Sequence, residues 1–555
     1  MKKAAELLMP AGSLEKLKVA ILYGADAVYM GTPDLSLRTR SNFSLDEVAE
    51  GVAFAHAHGK RAYLTLNLFS HNRDIEKLPE YIETIRKVSP DGVIVADPGV
   101  FNFVKKAAPE LEIHISTQAN VCSWLSVQFW QSLGANLVVL AREVSFGELK
   151  EIRAKCPGIK LEAFIHGAMC MTYSGRCLLS NYMAERGANQ GNCANSCRWN
   201  YKIKVRLKDG TLKDLELNEH TRELLDFFLE EEQRPGELMP LEEDDRGSYI
   251  LNAKDLCLMP RLNDYLALGI DSLKVEGRNR SAYYVAATAH AYRMAIDDWR
   301  KDPENWRPDA YMRELGTIPN RGYSLAFHEG QLSHHAHNFE DTHTLSPWEY
   351  AGMIAGVTGD AFLLSVKNRM EMGDVLEFVP HTSRAPLLLR IYEFEDIRHG
   401  RTTTVEGINA GPQPVIRIPF SWFHEEENLG RLRNDFPVHT VVRKERALSK
   451  DAWERLRLDR IAQAAELGKD VESEYQVKRQ GLIEALASQY EGVTFRTPRL
   501  GVEGCCGRGC NGCQHFWNDP RYARARELLK SKKQGTLLSD EEARQAKDVA
   551  KELVV

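Results

Sequence analysis

The sequence predicts an α/β protein, a (β/α)8 TIM-like barrel followed by a small β-rich domain and a Cys-rich helical tail. Eight short apolar stretches with strand character lie in the first 290 residues, and helical patterns separate them. Strands that alternate with helices of this length pair in parallel through right-handed crossovers, and eight such units favour a closed barrel. A doubly wound open sheet is the alternative, but no G-x-G-x-x-G motif follows the first strand.

The predicted barrel strands are short and mostly apolar. They are Glu6–Met9, Ala27–Met30, Arg61–Leu66, Gly92–Ala96, Glu112–Ser116, Leu137–Leu140, Leu161–Ile165 and Ser272–Val275. The helical patterns between them include Ser13–Tyr23, Leu45–His58, Ile75–Val88, Val100–Ala108, Ser126–Leu133 and Ser145–Ala154.

The pattern changes from about Thr317, where short alternating runs separated by Gly- and Asp-rich turns predict a small β-barrel or sandwich. A charged helical stretch follows from Ser449 to Ser488. We therefore predict domains at 1–315, 316–447 and 448–555. The β runs are Tyr350–Thr358, Ala361–Val366, Asp374–Val379, Leu387–Phe394, Val415–Pro419 and Thr440–Arg443.

Composition limits the class of protein. Apolar residues make up 43% of the 555-residue chain and charged residues 27%, as in a soluble globular protein, and the net charge of -6 indicates no overall basic field. The sequence contains no run of 18 apolar residues that would predict a membrane span, and the apolar stretch before Pro10 is too short for a signal peptide. We expect a cytoplasmic protein, in which clustered cysteines indicate a metal rather than disulfides.

Polar residues follow most of the predicted barrel strands, at the end of the barrel where the chemistry of this fold lies. Glu162, His166 and Glu276 are candidates for proton transfer. The planar guanidinium groups of arginine are suited to clamping a carboxylate or phosphate. The predicted substrate-binding residues are Asn67, Gln118, Arg142, Arg198, Lys274 and Arg278, and the side of the sheet on which Lys274 lies is left open.

Four cysteines lie on the loop after the seventh strand, with the spacing C-x6-C-x15-C-x3-C. A loop can bend until four thiolates meet at one metal centre. Structural zinc sites usually use two close cysteine pairs, whereas only the last two cysteines are a close pair here, so we favour an iron–sulfur cluster over zinc. The predicted ligands are Cys170, Cys177, Cys193 and Cys197.

This stretch resembles the signature of the U32 peptidase family of collagenase-like proteins. The resemblance rests on three segments, Glu162 to Cys170, Gly175 to Ser180 and Asn189 to Trp199, and a shorter one, KVEGR, at Lys274–Arg278. It implies a 4Fe–4S cluster on the four cysteines. Family members include hydroxylation factors that act on tRNA wobble uridine, 23S ribosomal RNA or the ubiquinone ring, and the RNA-hydroxylating members use prephenate as hydroxyl source.

A second group of cysteines lies in the tail, in the sequence GCCGRGCNGCQHFW. Its spacing matches the radical-SAM pattern, but only 42 residues follow it, whereas radical-SAM enzymes place the motif before most of their barrel. We expect a second iron–sulfur or zinc site instead. Its ligands would be Cys505, Cys506, Cys510 and Cys513.

These observations lead us to expect an enzyme that hydroxylates C5 of tRNA wobble uridine, with prephenate as hydroxyl source, a tRNA or other RNA substrate and no membrane partner. A U32-type peptidase is the alternative, although no H-E-x-x-H or G-x-S-x-G motif is present. Hydroxylation of 23S rRNA or of a quinone ring is a further alternative. A binding or scaffold protein with a structural cluster is disfavoured by the polar strand ends.

Overall fold

A computed structural model describes most of the first 446 residues. The described residues are 5–31, 43–67, 70–169 and 253–330, six short strands between 204 and 249, and 346–446 with gaps at 372, 382–385, 392–393, 397–402, 406, 411–414 and 424–428. The acidic stretch 214–247 is described only where those short strands lie, and the tail from residue 447 lies outside the described residues.

The chain begins with seven parallel strands that alternate with helices. The strands are β1 (Glu6–Ala11), β2 (Ala27–Gly31), β3 (Arg61–Leu66), β4 (Gly92–Val95), β5 (Glu112–Ile115), β6 (Leu137–Val139) and β7 (Lys160–Gly167). The helices are α1 (Leu14–Leu22), α2 (Leu45–Ala57), α3 (Asn72–Ile75), α4 (Leu78–Val88), α5 (Pro98–Ala107), α6 (Trp124–Ser132) and α7 (Phe146–Lys155), with a 3-10 turn at Thr117–Ala119.

Local sequence fixes where several of these helices begin. Ser44 and Ser145 each form a capping box with the glutamate three residues later, so that both orphan backbone donors are satisfied. Asp97 caps α5 by accepting hydrogen bonds from the amides of Gly99 and Val100, and Pro98 occupies the first helical position.

Six short strands follow β7 as three antiparallel pairs, and the chain then returns to the barrel. The short strands are β8 (Lys204–Arg206), β9 (Leu212–Asp214), β10 (Phe228–Glu230), β11 (Leu238–Pro240), β12 (Glu242–Asp244) and β13 (Gly247–Tyr249). After them come β14 (Asp255–Cys257), a 3-10 turn (Met259–Arg261), α8 (Leu262–Leu268), β15 (Ser272–Val275), α9 (Ala282–Lys301), α10 (Asp309–Leu315) and β16 (Tyr323–Ser324).

Strand β15 closes the barrel. It pairs in parallel with β1, where Glu6 lies opposite Ser272, and with β7, where Ser272 lies opposite Glu162. Eight parallel strands therefore form a closed barrel with flanking helices, as the sequence predicts. Strands β14 and β16 extend the sheet beyond β7, where β14 runs antiparallel to it.

The apolar core lies mainly between the strands and the surrounding helices. Helix α9 contributes much of it, because its residues from Ala282 to Tyr292 are buried without a break. Inside the barrel the apolar cluster is small, with Leu8, Ala27, Tyr29, Tyr63 and Ile94 as its members. The rest of the barrel interior is therefore available to polar side chains.

A separate antiparallel sheet follows the barrel. The elements of this region are β17 (Trp348–Val357), β18 (Ala361–Val366), β19 (Met370–Glu371), β20 (Val375–Phe378), β21 (Leu387–Arg390), β22 (Phe394–Asp396), β23 (Thr403–Val405), β24 (Gly407–Ile408), β25 (Val415–Pro419), a 3-10 turn (Phe420–Trp422), α11 (Leu429–Asp435) and β26 (Val441–Glu445). Strands β19 and β24 pair with each other as a two-stranded ribbon, and the other eight strands form the sheet. Edge-to-face contacts of Phe362 with Phe420 and Phe436 hold its core.

The run predicted as one strand at Leu387–Phe394 is two strands with different partners. Strand β21 pairs with β20, whereas β22 pairs with β25. Between them the amide of Ile391 donates to the carbonyl of Asp374, and the amide of Gly373 donates to Ile391. These bonds hold the end of β21 against the turn before β20, so the chain reaches β22 as a new strand.

Tyr23 and Arg443 connect the barrel to this sheet. The Tyr23 hydroxyl donates to the carbonyl of Val379 at 2.8 Å and accepts from the amide of Val441 at 2.9 Å. Arg443 donates to Glu314 at 2.8 Å and to Thr317 at 2.9 Å, and also pairs with Glu377.

None of the described helices combines the length and the apolar character that crossing a membrane requires. The domain boundaries stay predictions.

Candidate functional site

Cations and aromatic rings alternate at the carboxyl end of the barrel strands. The Arg142 guanidinium lies 3.7 Å from the centroid of the Phe164 ring, and Lys274 Nζ lies 5.6 Å from the same ring. On its other side Lys274 Nζ lies 4.5 Å from the Tyr29 ring, over which Arg278 lies at 5.6 Å. Cation–π contacts of this kind hold charged groups in place without neutralising them. We call these five residues the cation–aromatic row.

A buried ion pair lies beneath this row. Lys274 Nζ donates to Glu162 Oε1 at 2.7 Å, and the Ser272 hydroxyl donates to Glu162 Oε2 at 2.7 Å. The Glu162 side chain is fully buried and that of Lys274 is 6% exposed. Burial lowers the pKa of Lys274, and the neighbouring Glu162 opposes that shift. The pair therefore brings a carboxylate and an amine that gives up its proton more readily than usual into one desolvated site.

The structure settles the orientation of Lys274, which the sequence leaves open. Ser272 and Lys274 both contact Glu162, so alternate residues of β15 face the barrel interior. Glu162 and Phe164 of β7 share that interior with them. The predicted Glu162 and Lys274 are thus brought together, and Arg142 and Arg278 lie at either end of the row.

Close backbone contacts fix the ends of the strands that carry these residues. A Cβ atom on Gly12, just after β1, would lie 1.8 Å from the carbonyl oxygen of Arg278. Gly167, at the end of β7, has a φ of +125°, and a Cβ there would lie 2.7 Å from Cβ of Glu276. Arg278 is also held by its side chain, which donates to the Thr65 hydroxyl at 3.0 Å.

Asn67 and Gln118 lie at the ends of β3 and β5, around Ser116. Asn67 Nδ2 donates to the Ser116 hydroxyl at 3.4 Å, and the backbone amide of Gln118 donates to the same hydroxyl at 3.3 Å. Among the residues that the structure describes, the buried oxygens Asn67 Oδ1 and Gln118 Oε1 find no hydrogen-bond partner. Two acceptors at this end of the barrel are therefore available to a ligand that carries N–H or O–H groups.

His166 lies apart from the cation–aromatic row. Its ring is buried among the rings of Tyr284, Tyr292 and Tyr323, with Nδ1 3.4 Å from the Tyr292 hydroxyl. Burial lowers the pKa of His166 to about 4, so the imidazole is neutral at physiological pH. The structure thus places this proton-transfer candidate against helix α9 and does not bring it to the Glu162–Lys274 pair.

Glu276 is half-buried where the chain leaves β15. Its amide donates to the carbonyl of His166 at 2.9 Å, and its carbonyl accepts from the Tyr284 hydroxyl at 2.7 Å. These backbone bonds hold the ends of β7 and β15 together. They place Glu276 on the same face of the barrel as Arg278.

The predicted metal ligands and one predicted arginine lie outside the described residues. They are Cys170, Cys177, Cys193, Cys197 and Arg198 of the loop after β7, and Cys505, Cys506, Cys510 and Cys513 of the tail. The described chain reaches buried Met169, two residues beyond the end of β7. Within the described ranges, no group of three or more His, Cys, Asp or Glu side chains is arranged to hold a metal ion.

The predicted site residues do not include Phe164, Ser272 or Tyr29, although Tyr29 lies near the predicted end of the second strand. Each lies inside a predicted strand, and an apolar or small residue there is normally part of the core. The alternation of side chains along a strand could have identified two of them, because Phe164 is two residues from Glu162 and Ser272 is two residues from Lys274. Residues that alternate with a buried charge face the same interior and are candidates to contact it.

Eight parallel strands closed into a barrel, with helices around them, define a TIM-like barrel protein. Residues 12–338 match the model of peptidase family U32. The chain therefore belongs to the U32 family.

Several relatives are named for the RNA that they modify. The tRNA hydroxylation protein P of Escherichia coli is 39% identical over 400 residues, which cover 67% of this chain and 86% of that protein. The tRNA hydroxylation protein P1 of Bacillus subtilis is 37% identical and covers 68% of this chain and 83% of its own length. The 23S rRNA 5-hydroxycytidine synthase of Escherichia coli is 32% identical, covering 53% of this chain and 39% of that protein.

Proposed function

We propose that this protein hydroxylates RNA, and that its substrate is the wobble uridine of tRNA, modified at C5. The observation that carries the proposal is the cation–aromatic row above the buried Glu162–Lys274 pair, in a chain that shares 39% identity with a tRNA hydroxylation protein over most of that protein. A cationic mouth suits both a phosphate backbone and a dicarboxylate hydroxyl donor such as prephenate.

The residues of the site have three roles in this proposal. Arg142 and Arg278 bind anionic groups, because guanidinium groups form bidentate contacts with carboxylates and phosphates. Lys274 and Glu162 hold and move a proton at Nζ and Oε1, since burial lowers the pKa of the lysine towards the range useful for acid–base catalysis. Asn67 and Gln118 contribute acceptor oxygens that orient the substrate.

The proposal includes a 4Fe–4S cluster on Cys170, Cys177, Cys193 and Cys197. Four thiolates are the donor set that such clusters use, and the described chain leads into this loop from the carboxyl end of β7, the strand that carries Glu162 and Phe164. When bound, the cluster would supply electron transfer or Lewis-acid chemistry at the mouth of the barrel. A second iron–sulfur or zinc centre on the four tail cysteines is also proposed.

Nucleoside mass spectrometry of tRNA from a deletion strain tests the function. We expect 5-hydroxyuridine derivatives to disappear and to return with the wild-type gene but not with the Arg278→Met variant. Arg369→Met is the matched control, because Arg369 is an exposed arginine of the antiparallel sheet that pairs with Glu371. Unchanged 5-hydroxyuridine derivatives in the deletion strain would contradict the proposal and direct attention to 23S rRNA, a quinone or a peptide substrate.

Anaerobic purification tests the cluster. We expect a brown protein with about four irons per cluster, and a colourless Cys193→Ala variant. Cys156→Ala is the control, since Cys156 is buried against helix α6 and not on the cysteine loop. A wild-type protein that carries zinc alone would contradict the iron assignment.

A further inference from the structure

Polar side chains inside the barrel continue from the Glu162–Lys274 pair towards the amino-terminal ends of the strands. Ser272 Oγ, which donates to Glu162 Oε2 at 2.7 Å, also lies 3.5 Å from Glu6 Oε1. Glu6 Oε2 in turn accepts from the Tyr63 hydroxyl at 3.3 Å and pairs with Arg61. A chain of polar contacts therefore connects Lys274 at the mouth to Arg61 at the opposite end of the barrel.

Strand register brings these residues together. Ser272 of β15 lies opposite Glu6 of β1 and opposite Glu162 of β7, and its hydroxyl group lies within 3.5 Å of both carboxyl groups inside the barrel. The side chains of Glu6 and Glu162 are 6% and 0% exposed, whereas that of Arg61 is 42% exposed. The line is thus desolvated along most of its length, and Arg61 is its most exposed member.

Glu6 has the acid–base properties that a relay group needs. Burial raises its pKa to about 7, with Glu162 and Asp26 acting in the same direction and Arg61 and the Tyr63 hydroxyl acting against them. A carboxyl group with such a pKa both takes up and releases a proton near neutral pH. Glu112, another carboxylate near the same end of the barrel, differs because hydrogen bonds from His114 and Lys160 lower its pKa to about 2.

We propose that Glu6 and Ser272 are positioning residues that recharge Lys274 with protons from the amino-terminal face of the barrel. This inference rests on the proposed function, in which Lys274 gives a proton to the bound substrate. The path runs from Glu6 through the Ser272 hydroxyl and Glu162 to Lys274 Nζ. It supplies protons from the end of the barrel opposite to the bound substrate.

The transfer balances without any oxidant or reductant. The Glu6 carboxyl group passes its proton to Ser272 Oγ, whose own proton moves to Glu162 Oε2, and Glu162 passes a proton to the neutral Lys274 amine. Glu6 is left as a carboxylate beside Arg61 and takes a new proton from water. One proton moves and every heavy-atom bond is preserved. If the Glu162–Lys274 ion pair had only a structural role, it would not require the further contacts to Ser272 and Glu6.

Infrared spectroscopy of the full-length holoprotein tests the relay without an activity assay. We expect a carbonyl band from a buried protonated carboxyl group that titrates near pH 7. The band should be lost in Glu6→Gln and kept in Glu112→Gln. Absence of the band from the wild type, or its persistence in Glu6→Gln, would overturn the relay and leave the proposed function untouched.

Kinetics with unmodified tRNA and prephenate test the role of the bridging hydroxyl. We expect Ser272→Ala to lower kcat by about 100-fold with little change in KM, because positioned proton transfer contributes at least that much. Ser272→Thr, which keeps the hydroxyl, should restore kcat, and Glu112→Gln should behave as wild type. A Ser272→Ala enzyme with wild-type kcat would refute the relay, whereas an inactive wild type would refute the proposed function instead.

Discussion

Lys274 and Glu162 show how a single contact sets the chemistry of the site. A buried charge is costly in a protein unless a partner satisfies it, and removing one member of such a pair costs roughly 3–5 kcal/mol. Here the partner also tunes the lysine, because the carboxylate at 2.7 Å opposes the effect of burial on its pKa. The same contact therefore satisfies two buried charges and limits the fall in the pKa of Lys274.

Gly12 provides a test at the same scale. We expect Gly12→Ala to lower the free energy of unfolding by about 1–3 kcal/mol and to reduce tRNA hydroxylation, because the added Cβ meets the carbonyl oxygen of Arg278 and must displace it. Gly359→Ala is the control, since a Cβ at Gly359 meets nothing within 4 Å. Urea unfolding and nucleoside analysis measure the two effects. A Gly12→Ala protein with the stability and activity of wild type would show that the close contact between Gly12 and the Arg278 carbonyl is unimportant.

Strand β7 is the element on which the site depends, because its two ends serve different purposes. Glu162 and Phe164 face the barrel interior, whereas His166 packs against the tyrosines of α9. The change of side follows a register shift in the pairing with β15, where Phe164 lies opposite Lys274 but His166 lies opposite Val275. A bulge of this kind redirects the side chains that follow it.

The buried imidazole on β7 makes stability depend on pH. His166 has a folded-state pKa of about 4 against an ordinary value of 6.5, so its contribution is full above pH 6.5 and is lost as the pH falls towards 4. When the pH falls from about 7.5 to about 5, we expect the free energy of unfolding of the wild type to decrease by about 2 kcal/mol more than that of His166→Gln.

Urea unfolding at each pH measures this difference between the two proteins. The control is His58→Gln. The His58 ring is exposed, and its described hydrogen bond is to the backbone carbonyl of Phe54 in the preceding helix. A pH dependence in His166→Gln equal to that of wild type would contradict the assignment.

At the scale of the whole described unit, Arg443 joins the barrel to the antiparallel sheet. Its guanidinium contacts Glu314 after the barrel, Glu377 within the sheet and the Tyr283 hydroxyl of α9, and it lies 4.7 Å from the Trp348 ring. Its side chain is 7% exposed, so the two carboxylates depend on it for neutralisation. Loss of this arginine should loosen the sheet from the barrel.

We expect Arg443→Met to lower the free energy of unfolding by roughly 3–5 kcal/mol, because the buried Glu377 and the half-buried Glu314 would lose their partner. Arg417→Met is the control at a more exposed pair with Glu395, where we expect less than about 1 kcal/mol. Urea unfolding followed by tryptophan fluorescence measures both. An Arg443→Met protein as stable as wild type would show that the sheet is held by other contacts.

The barrel could be predicted from sequence because its signal is local. Each strand is a short apolar run and several helices have their own side-chain cap, as at Ser44 and Ser145, so periodicity and capping residues define many of the elements without knowledge of their partners. All eight barrel strands lie where the sequence places them. The split at Leu387–Phe394 was missed because the bonds of Ile391 to the turn at Gly373 join residues far apart in the chain.

By itself the sequence determined the eight strands, the polar residues at their ends and the cysteine pattern that indicates the family. Only the tertiary structure decided that Lys274 faces Glu162, that His166 belongs to a cage of tyrosines, and that Glu6 shares a serine hydroxyl with Glu162. The physical reason is that pairing register and barrel closure select which side chains meet, and both depend on contacts between residues that are distant in sequence.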